Sequence, residues 1–389
     1  MTWTKQIALA GFAATAVAFG PARIGFGLFL PQFRNAFDLS TTLAGIIAST
    51  GFISFFLALP LTAMLVRRAG PRLPVLLGAV SAALGFVAIA TASGPLQLLT
   101  GVLFASASAG LCWAPFNDAA ERFVAARSRP GILAVIASGT SIGIVLAAGL
   151  SLGVAFNLVT WRAAWFAFAI GAGVTALGVL IEMPRSETEV RRGKLPRLPN
   201  FATHGAAPLY IAAFVFGATN AVYFSFSADH VVNSGGLAGL PANASAAMIF
   251  FAYGVCGLLG VMTGAAEARA GIGWLLRSVF AAAGLSHILI ALAPQSWPAV
   301  LASAGIQGAV LMAVSALISM WSLRLFPGQA TTGFVAALMA LALGSIAGPA
   351  AAGLVADASG PMLMFMLASL PLFIITLWPG RWVSREACN

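Results

Sequence analysis

The chain has little charge. Only 8% of its 389 residues are Asp, Glu, Lys or Arg, against about 25% in a soluble domain. With 60% of residues apolar, too few charges remain to cover a water-facing surface, which excludes a soluble globule. Cysteine is scarce and odd in number, three in all, which excludes a disulfide-stapled secreted scaffold. The apolar content excludes disorder. Acidic residues are rarest of the charged groups, ten against twenty basic ones, for a net charge of +10. A nucleic-acid binder would gather such a surplus on one surface, but here it is scattered in short clusters between apolar runs, so no nucleic-acid partner is expected. There is no Walker loop, no His-Glu-x-x-His and no Cys-x-x-Cys. No ATP drive, metal site, cofactor or enzyme activity is therefore expected.

Long apolar runs are what the chain has in abundance. They are continuous over about 20 residues or more, enough to cross a bilayer as helices, and they lack the alternation of a barrel strand. Twelve helices are predicted. The first six, α1–α6, fall at about 6–33, 42–66, 73–92, 96–117, 131–156 and 161–182. The last six, α7–α12, fall at about 206–227, 245–266, 273–293, 297–323, 330–355 and 361–379. The first run is far longer than the apolar core of a cleaved signal peptide. A polar stretch from Pro184 to His204 separates the two sets. The division expected is an N-terminal six-helix bundle at 1–183, a cytoplasmic linker at 184–205 and a C-terminal six-helix bundle at 206–389.

The basic residues supply an orientation. With the N-terminus in the cytoplasm, 17 of the 20 Lys and Arg fall on the cytoplasmic side and only Arg34 and Arg162 outside, with Arg23 inside α1. That asymmetry follows the positive-inside rule and places both termini in the cytoplasm.

The two sets of helices echo each other. Arg68-Ala69-Gly70 after α2 recurs as Arg269-Ala270-Gly271 after α8, 201 residues later. Arg122 recurs as Arg324, and Gly131-Ile132-Leu133-Ala134 as Gly333-Phe334-Val335-Ala336, 202 residues later. Parallel six-helix repeats of this kind are used by secondary transporters.

On these residues the chain resembles the major facilitator superfamily over its whole length. The turn after α2 is similar to that family's G-x-x-x-D-R-x-G-R-R signature: Arg68, Gly70 and Arg72 match, whereas Ala63 and Arg67 stand where the first Gly and the Asp are usual. Trp161-Arg162-Ala163-Ala164-Trp165-Phe166 resembles its entry to α6, and Gly344-Ser345-Ile346-Ala347-Gly348-Pro349 with Gly353, Asp357 and Gly360 its passage from α11 to α12. The resemblance implies an all-α membrane protein of two six-helix bundles related by pseudo-two-fold symmetry. It further implies that α1, α4, α7 and α10 line a central cavity. The missing Asp removes a residue that, in the family, pairs with basic groups across the halves. Glu267, one position before the equivalent slot, is the candidate substitute. The Gly139-Thr140-Ser141-Ile142-Gly143 stretch of α5 matches the family's drug-antiporter pattern only in part, since Ile144 stands where Pro is usual.

Arg23 is the sharpest single feature. It lies 11 residues before Arg34, roughly 16 Å below the end of α1 at 1.5 Å per residue. A charge at that depth costs from about 2.5 to well above 10 kcal/mol, so it calls for a wet cavity or a partner. Its planar fork suits a carboxylate or phosphate. The competing reading is an Arg bonded to helix carbonyls or to a neighbouring polar side chain. Pro21 with Gly20, Gly25 and Gly27 predicts a bend in α1. Asn220 and Tyr223 on α7, Gln307 on α10, and Trp113 and Asn117 on α4 are the candidates to join Arg23 at a substrate site; each is also a candidate for an ordinary interhelical contact. Asp118 is the only acidic residue expected near the interior, with Arg122 four residues on as a helical ion pair. Arg68, Gly70, Arg72, Asp118, Arg122, Arg269 and Gly271 are the expected gating and structural residues. His287, in a peripheral helix, reads first as a hydrogen-bonded helix contact and second as a proton relay.

The expected function is a secondary active or facilitative transporter in a bacterial inner membrane, monomeric, moving a small organic anion by alternating access, either alone or coupled to a proton or counter-ion. An amphiphile efflux antiporter and a non-transporting receptor on the same fold are the alternatives.

Overall fold

The computed structural model describes residues 3–125, 128–183, 206–326 and 330–378. The linker at 184–205 and the basic residues at 381 and 385 lie outside the described residues. So do the side chains of Asn117 and Arg122.

All regular structure among the described residues is helical. Eleven helices are long and apolar enough to cross a membrane, and a twelfth, shorter apolar helix spans Pro361–Thr376. α2 is Thr41–Ala69, α3 Arg72–Ala90, α5 Arg129–Ala155 and α6 Trp161–Glu182. α7 is Ala207–Asn233, α9 Ile272–Leu292, α10 Trp297–Leu325, α11 Ala330–Ser359 and α12 Pro361–Thr376. Large apolar side chains such as Leu57, Leu146, Ile170 and Leu354 stand exposed around the outside. A patch of that extent needs a lipid covering. The face carrying Arg34 and the N-terminus of α2 is called the Arg34 face below, and the opposite one the Arg68 face.

Proline breaks the two helices that carry the most candidate residues. α1 is three segments, Trp3–Phe19, Pro21–Leu28 and Leu30–Phe37. Gly20, with ψ −110°, is the first break and Phe29 the second. Each precedes a proline whose ring has no N–H to give and crowds the carbonyl four residues back. α4 likewise runs Pro95–Cys112 and Ala114–Phe123, broken at Trp113 just before Pro115. α8 starts as Ala242–Gly257, tightens to a 3-10 turn at Leu258–Met262 and resumes as Thr263–Ala270.

The 201-residue echo has a structural counterpart. Gly70 and Gly271 end their helices at φ 75° and 76°, and their N–H groups donate to Val66 O and Glu267 O, themselves 201 apart. A side chain at that φ is strained, which explains glycine in both places.

The upper part of α1 is anchored by aromatic rings. Phe29 and Phe33 pack on Trp165 with ring centroids 5.5 and 6.0 Å apart, and Trp165 meets Phe168 edge-on at 5.5 Å. Such pairs add about 0.5–1.5 kcal/mol each beyond the area they bury. On its other side α1 meets α7 backbone to backbone, because a Cβ at Gly27 would overlap the carbonyl oxygen of Phe224.

Candidate transport site

The Arg34 face is closed by contacts between helices on either side of the linker. Arg34 Nη1 donates to Asp229 Oδ2 at 2.7 Å, joining α1 to α7. The carboxylate of Asp357, at the end of α11, accepts from the backbone N–H of Thr41 at 3.1 Å and of Thr42 at 2.8 Å. It caps the N-terminus of α2 from the other half of the chain, where orphan N–H groups and the helix dipole favour an anion. Gly45 of α2 lies against the backbone of Pro349 in α11.

Toward the Arg68 face, a cavity of about 490 Å³ lies among α4, α5, α8, α10 and α11. Trp113, Ile136, Ser141, Gly257, Met312 and Ser315 are among the residues lining it.

Arg23 sits between these two regions, on the short middle segment of α1. Its guanidinium carbon is 4.5 Å from the ring centroid of Phe55, 5.5 Å from Phe52 and 5.6 Å from Phe19. Each ring face contributes about 0.5–2 kcal/mol toward holding the cation. Neither ion pair found among the described residues includes Arg23. The free space beside it is about 20 Å³, lined also by Ser106, Phe224 and Ser225, and holds about one water. Phe19 touches the large cavity's wall as well: its ring meets Trp113 edge-on at 5.4 Å.

Asn220 and Gln307 come together. Asn220 Oδ1 accepts from Gln307 Nε2 and from the Tyr253 hydroxyl, both at 3.4 Å. Gln307 is fully buried and its Oε1 has no partner. Tyr253 lies within electrostatic reach of Arg23. It escapes the sequence reading because α8 is not among the helices expected to line the cavity. The echo holds the missing signal: Asn220, Tyr253 and Gln307 stand 201 residues after Phe19, Phe52 and Ser106. The first trio of the chain surrounds Arg23, and the second is the hydrogen-bonded cluster.

Tyr223 is not brought to Arg23. Its hydroxyl pairs with Ser303 Oγ at 2.9 Å, and Ser303 with Ser286 Oγ at 3.1 Å, inside the packing of α7, α9 and α10. Trp113 lines the large cavity, and Asn117 lies on the second segment of α4.

The expected gating residues lie toward the Arg68 face. Arg68 and Arg269 are exposed, Arg72 donates to the carbonyl of Leu180, and Asp118 is half-buried. Glu267 pairs with Arg324 of α10, in its own half of the chain, so it does not replace the lost cross-half Asp. Asp118 is also not the only acidic group in the interior, since Asp229 is 5% exposed. The expected end of α7 near residue 227 hid it: the helix continues to Asn233 and carries Asp229 and His230 inward.

A sequence model of the Major Facilitator Superfamily matches residues 7–279. The chain belongs to this superfamily. Among curated proteins no sequence matches it. The fold is that of solved superfamily transporters. A mutant of the nucleoside transporter NupG superposes with a TM-score of 0.80 at 12% identity, covering 96% of this chain and 98% of that one. A bacterial homologue of the human lysosomal transporter Spinster, inward-facing and occupied, gives 0.76 at 17% identity, covering 96% and 95%. A POT family transporter in complex with 5-aminolevulinic acid gives 0.75 at 13% identity, covering 96% and 94%. At such identities the superfamily likeness concerns the fold. The chain is accordingly an integral membrane transporter of all-α superfamily architecture.

Proposed function

We propose that the protein moves a small organic anion across a bacterial inner membrane by alternating access, with Arg23 as the charge partner. The observation that carries this reading is a guanidinium inside the membrane span with no acidic partner among the described residues, held by three phenyl faces. Ring faces hold the cation without neutralising it, so the edges of the fork stay available to a carboxylate or phosphate. Asn220, Tyr253 and Gln307 would supply neutral hydrogen bonds on the other side.

With the basic clusters inside, the Arg34 face is the outer one and the large cavity opens toward the cytoplasm. The conformation is then inward-facing, with Arg34–Asp229 and the Asp357 cap as the outer gate. The two halves would rock about the midplane to break these contacts. The protein works as a monomer, with the linker at 184–205 joining the bundles at 1–183 and 206–389.

Flux into proteoliposomes tests the proposal. Arg23→Ala and Arg23→Lys are expected to lose most uptake of the anion at unchanged protein level, Lys because it lacks the planar fork. Normal flux in Arg23→Ala would sink the anchor role. Binding of a ligand without any flux would point to a receptor instead.

A further inference from the structure

His287 is fully buried in α9. Its Nδ1 lies 2.9 Å from the carbonyl oxygen of Ala283, one turn earlier in the same helix. Its Nε2 lies 3.1 Å from the carbonyl oxygen of Thr219 on α7. Both neighbours can only accept. A neutral imidazole carries one N–H and one lone pair, so one of the two contacts would set a lone pair against a carbonyl oxygen. The imidazolium carries an N–H at each nitrogen and satisfies both.

We propose that His287 is a proton-binding site of this transporter, and that its cationic form ties α9 to α7 one residue from Asn220. Two opposing effects make the proton exchangeable. Burial disfavours the charged ring, and two carbonyl dipoles aimed at its nitrogens favour it. From α7, Tyr223 meets the ring edge-on at 5.6 Å, and His230 contacts Phe365, which the His287 ring also contacts. α10 brings the uncharged Ser303 beside Ser286, and α12 brings Phe365. Neither Asp nor Glu forms an ion pair with His287 among the described residues.

The two carbonyls respond differently when the proton leaves. Ala283 O belongs to the same helix and stays in place. Thr219 O belongs to α7, so the link that weakens is the interhelical one. α7 carries Asn220 of the candidate site and Asp229 of the gate pair. Protonation of His287 therefore biases the helix that serves both, which is what coupling a proton to a solute requires. Coupling rests on the transport reading above, whereas titration of the ring does not.

The test begins with the ring itself. The chain has three histidines. With ring-¹⁵N histidine and the substitutions His204→Gln and His230→Gln, His287 is the only imidazole left to observe. Should that variant fold poorly, the same signal is assigned in the unaltered protein by its loss in His287→Gln or His287→Asn. The expected result is two protonated ring nitrogens at low pH and a single transition to a neutral tautomer between about pH 5 and about pH 8. A ring that stays in one state across that range, neutral or charged, overturns the proposal. In proteoliposomes, His287→Gln should keep anion binding within about twofold and lose the response of flux to an imposed pH gradient. A full response in that variant removes His287 from coupling. Loss of anion binding in Arg23→Ala with normal titration of His287, or the reverse, tells the two readings apart.

Discussion

Arg34 on α1 and Asp229 on α7 meet at 2.7 Å, 195 residues apart in the chain, and join the two halves at the Arg34 face. Arg34 also donates to the Thr41 hydroxyl at 3.2 Å, which ties the pair to the N-terminus of α2. The arginine side chain is 28% exposed and the aspartate 7%. The pair therefore falls between a surface ion pair worth under about 1 kcal/mol and a buried one whose disruption costs about 3–5 kcal/mol.

Neutralising Asp229 should open this face. In a cysteine-free background with Ser225→Cys as reporter, Asp229→Asn is expected to raise the thiol labelling rate about tenfold, the equivalent of about 1.4 kcal/mol. Ser225 is buried and lines the small space beside Arg23, so it reports access to that point. The exchange Arg34→Asp with Asp229→Arg should bring labelling back toward the starting rate. Unchanged labelling in Asp229→Asn contradicts the gate.

The Asp357 cap should act in the same direction by a different interaction. Asp357→Ala removes an acceptor from two N–H groups of α2, a loss of about 0.5–2 kcal/mol for a helix cap. Labelling of Ser225→Cys is expected to rise by a smaller factor than for Asp229→Asn, and Asp357→Asn should fall between wild type and Ala. Equal labelling in all three would show that the cap does not hold the face.

At Gly27, α1 meets the backbone of α7 with no room for a Cβ. Gly27→Ala places a methyl group on the Phe224 carbonyl. Neither backbone can give way without moving a helix, and overpacking of this kind costs about 1–3 kcal/mol. The expected outcome is faster labelling of the same reporter with the ion pair intact. Labelling at the wild-type rate would mean that the helices separate there at no cost.

The two buried tyrosines should behave differently. Tyr253→Phe removes a donor to Asn220 in the candidate site and is expected to weaken anion binding about fivefold, near 1 kcal/mol. Tyr223→Phe breaks the bond to Ser303 inside the bundle; it should lower thermal stability and leave affinity within about twofold. The reverse pattern, measured by calorimetric titration, would exchange their roles.

Much of the architecture is legible in the residues themselves. Apolar runs longer than a bilayer is thick admit few structures other than helices, and the Arg-Ala-Gly echo marks two turns that share one φ. The depth of Arg23 follows from counting residues to Arg34. The proline breaks in α1 follow from Pro21 and Pro31, whose missing N–H groups act locally. What stays hidden depends on another part of the chain. Asp229 reads as a loop residue because polar side chains cluster at the end of its run, and only packing against Arg34 shows why the helix continues. Tyr223 and Tyr253 are parted by their packing: Tyr223 bonds to Ser303 of α10 and Tyr253 to Asn220 of α7, partners 80 and 33 positions away. The cap by Asp357 joins residues more than 300 positions apart, so no local pattern announces it.

If Arg23 anchors an anion, binding to the purified protein depends on its guanidinium. Thermal stabilisation would be measured for the wild type and Arg23→Ala against mono- and dicarboxylates, phosphate esters, and neutral and cationic analogues of matched size. At least one anion should stabilise the wild type, its neutral and cationic analogues should not, and Arg23→Ala should abolish the effect. Stabilisation by the same anion in Arg23→Ala, or by cations alone in the wild type, would contradict the anchor role.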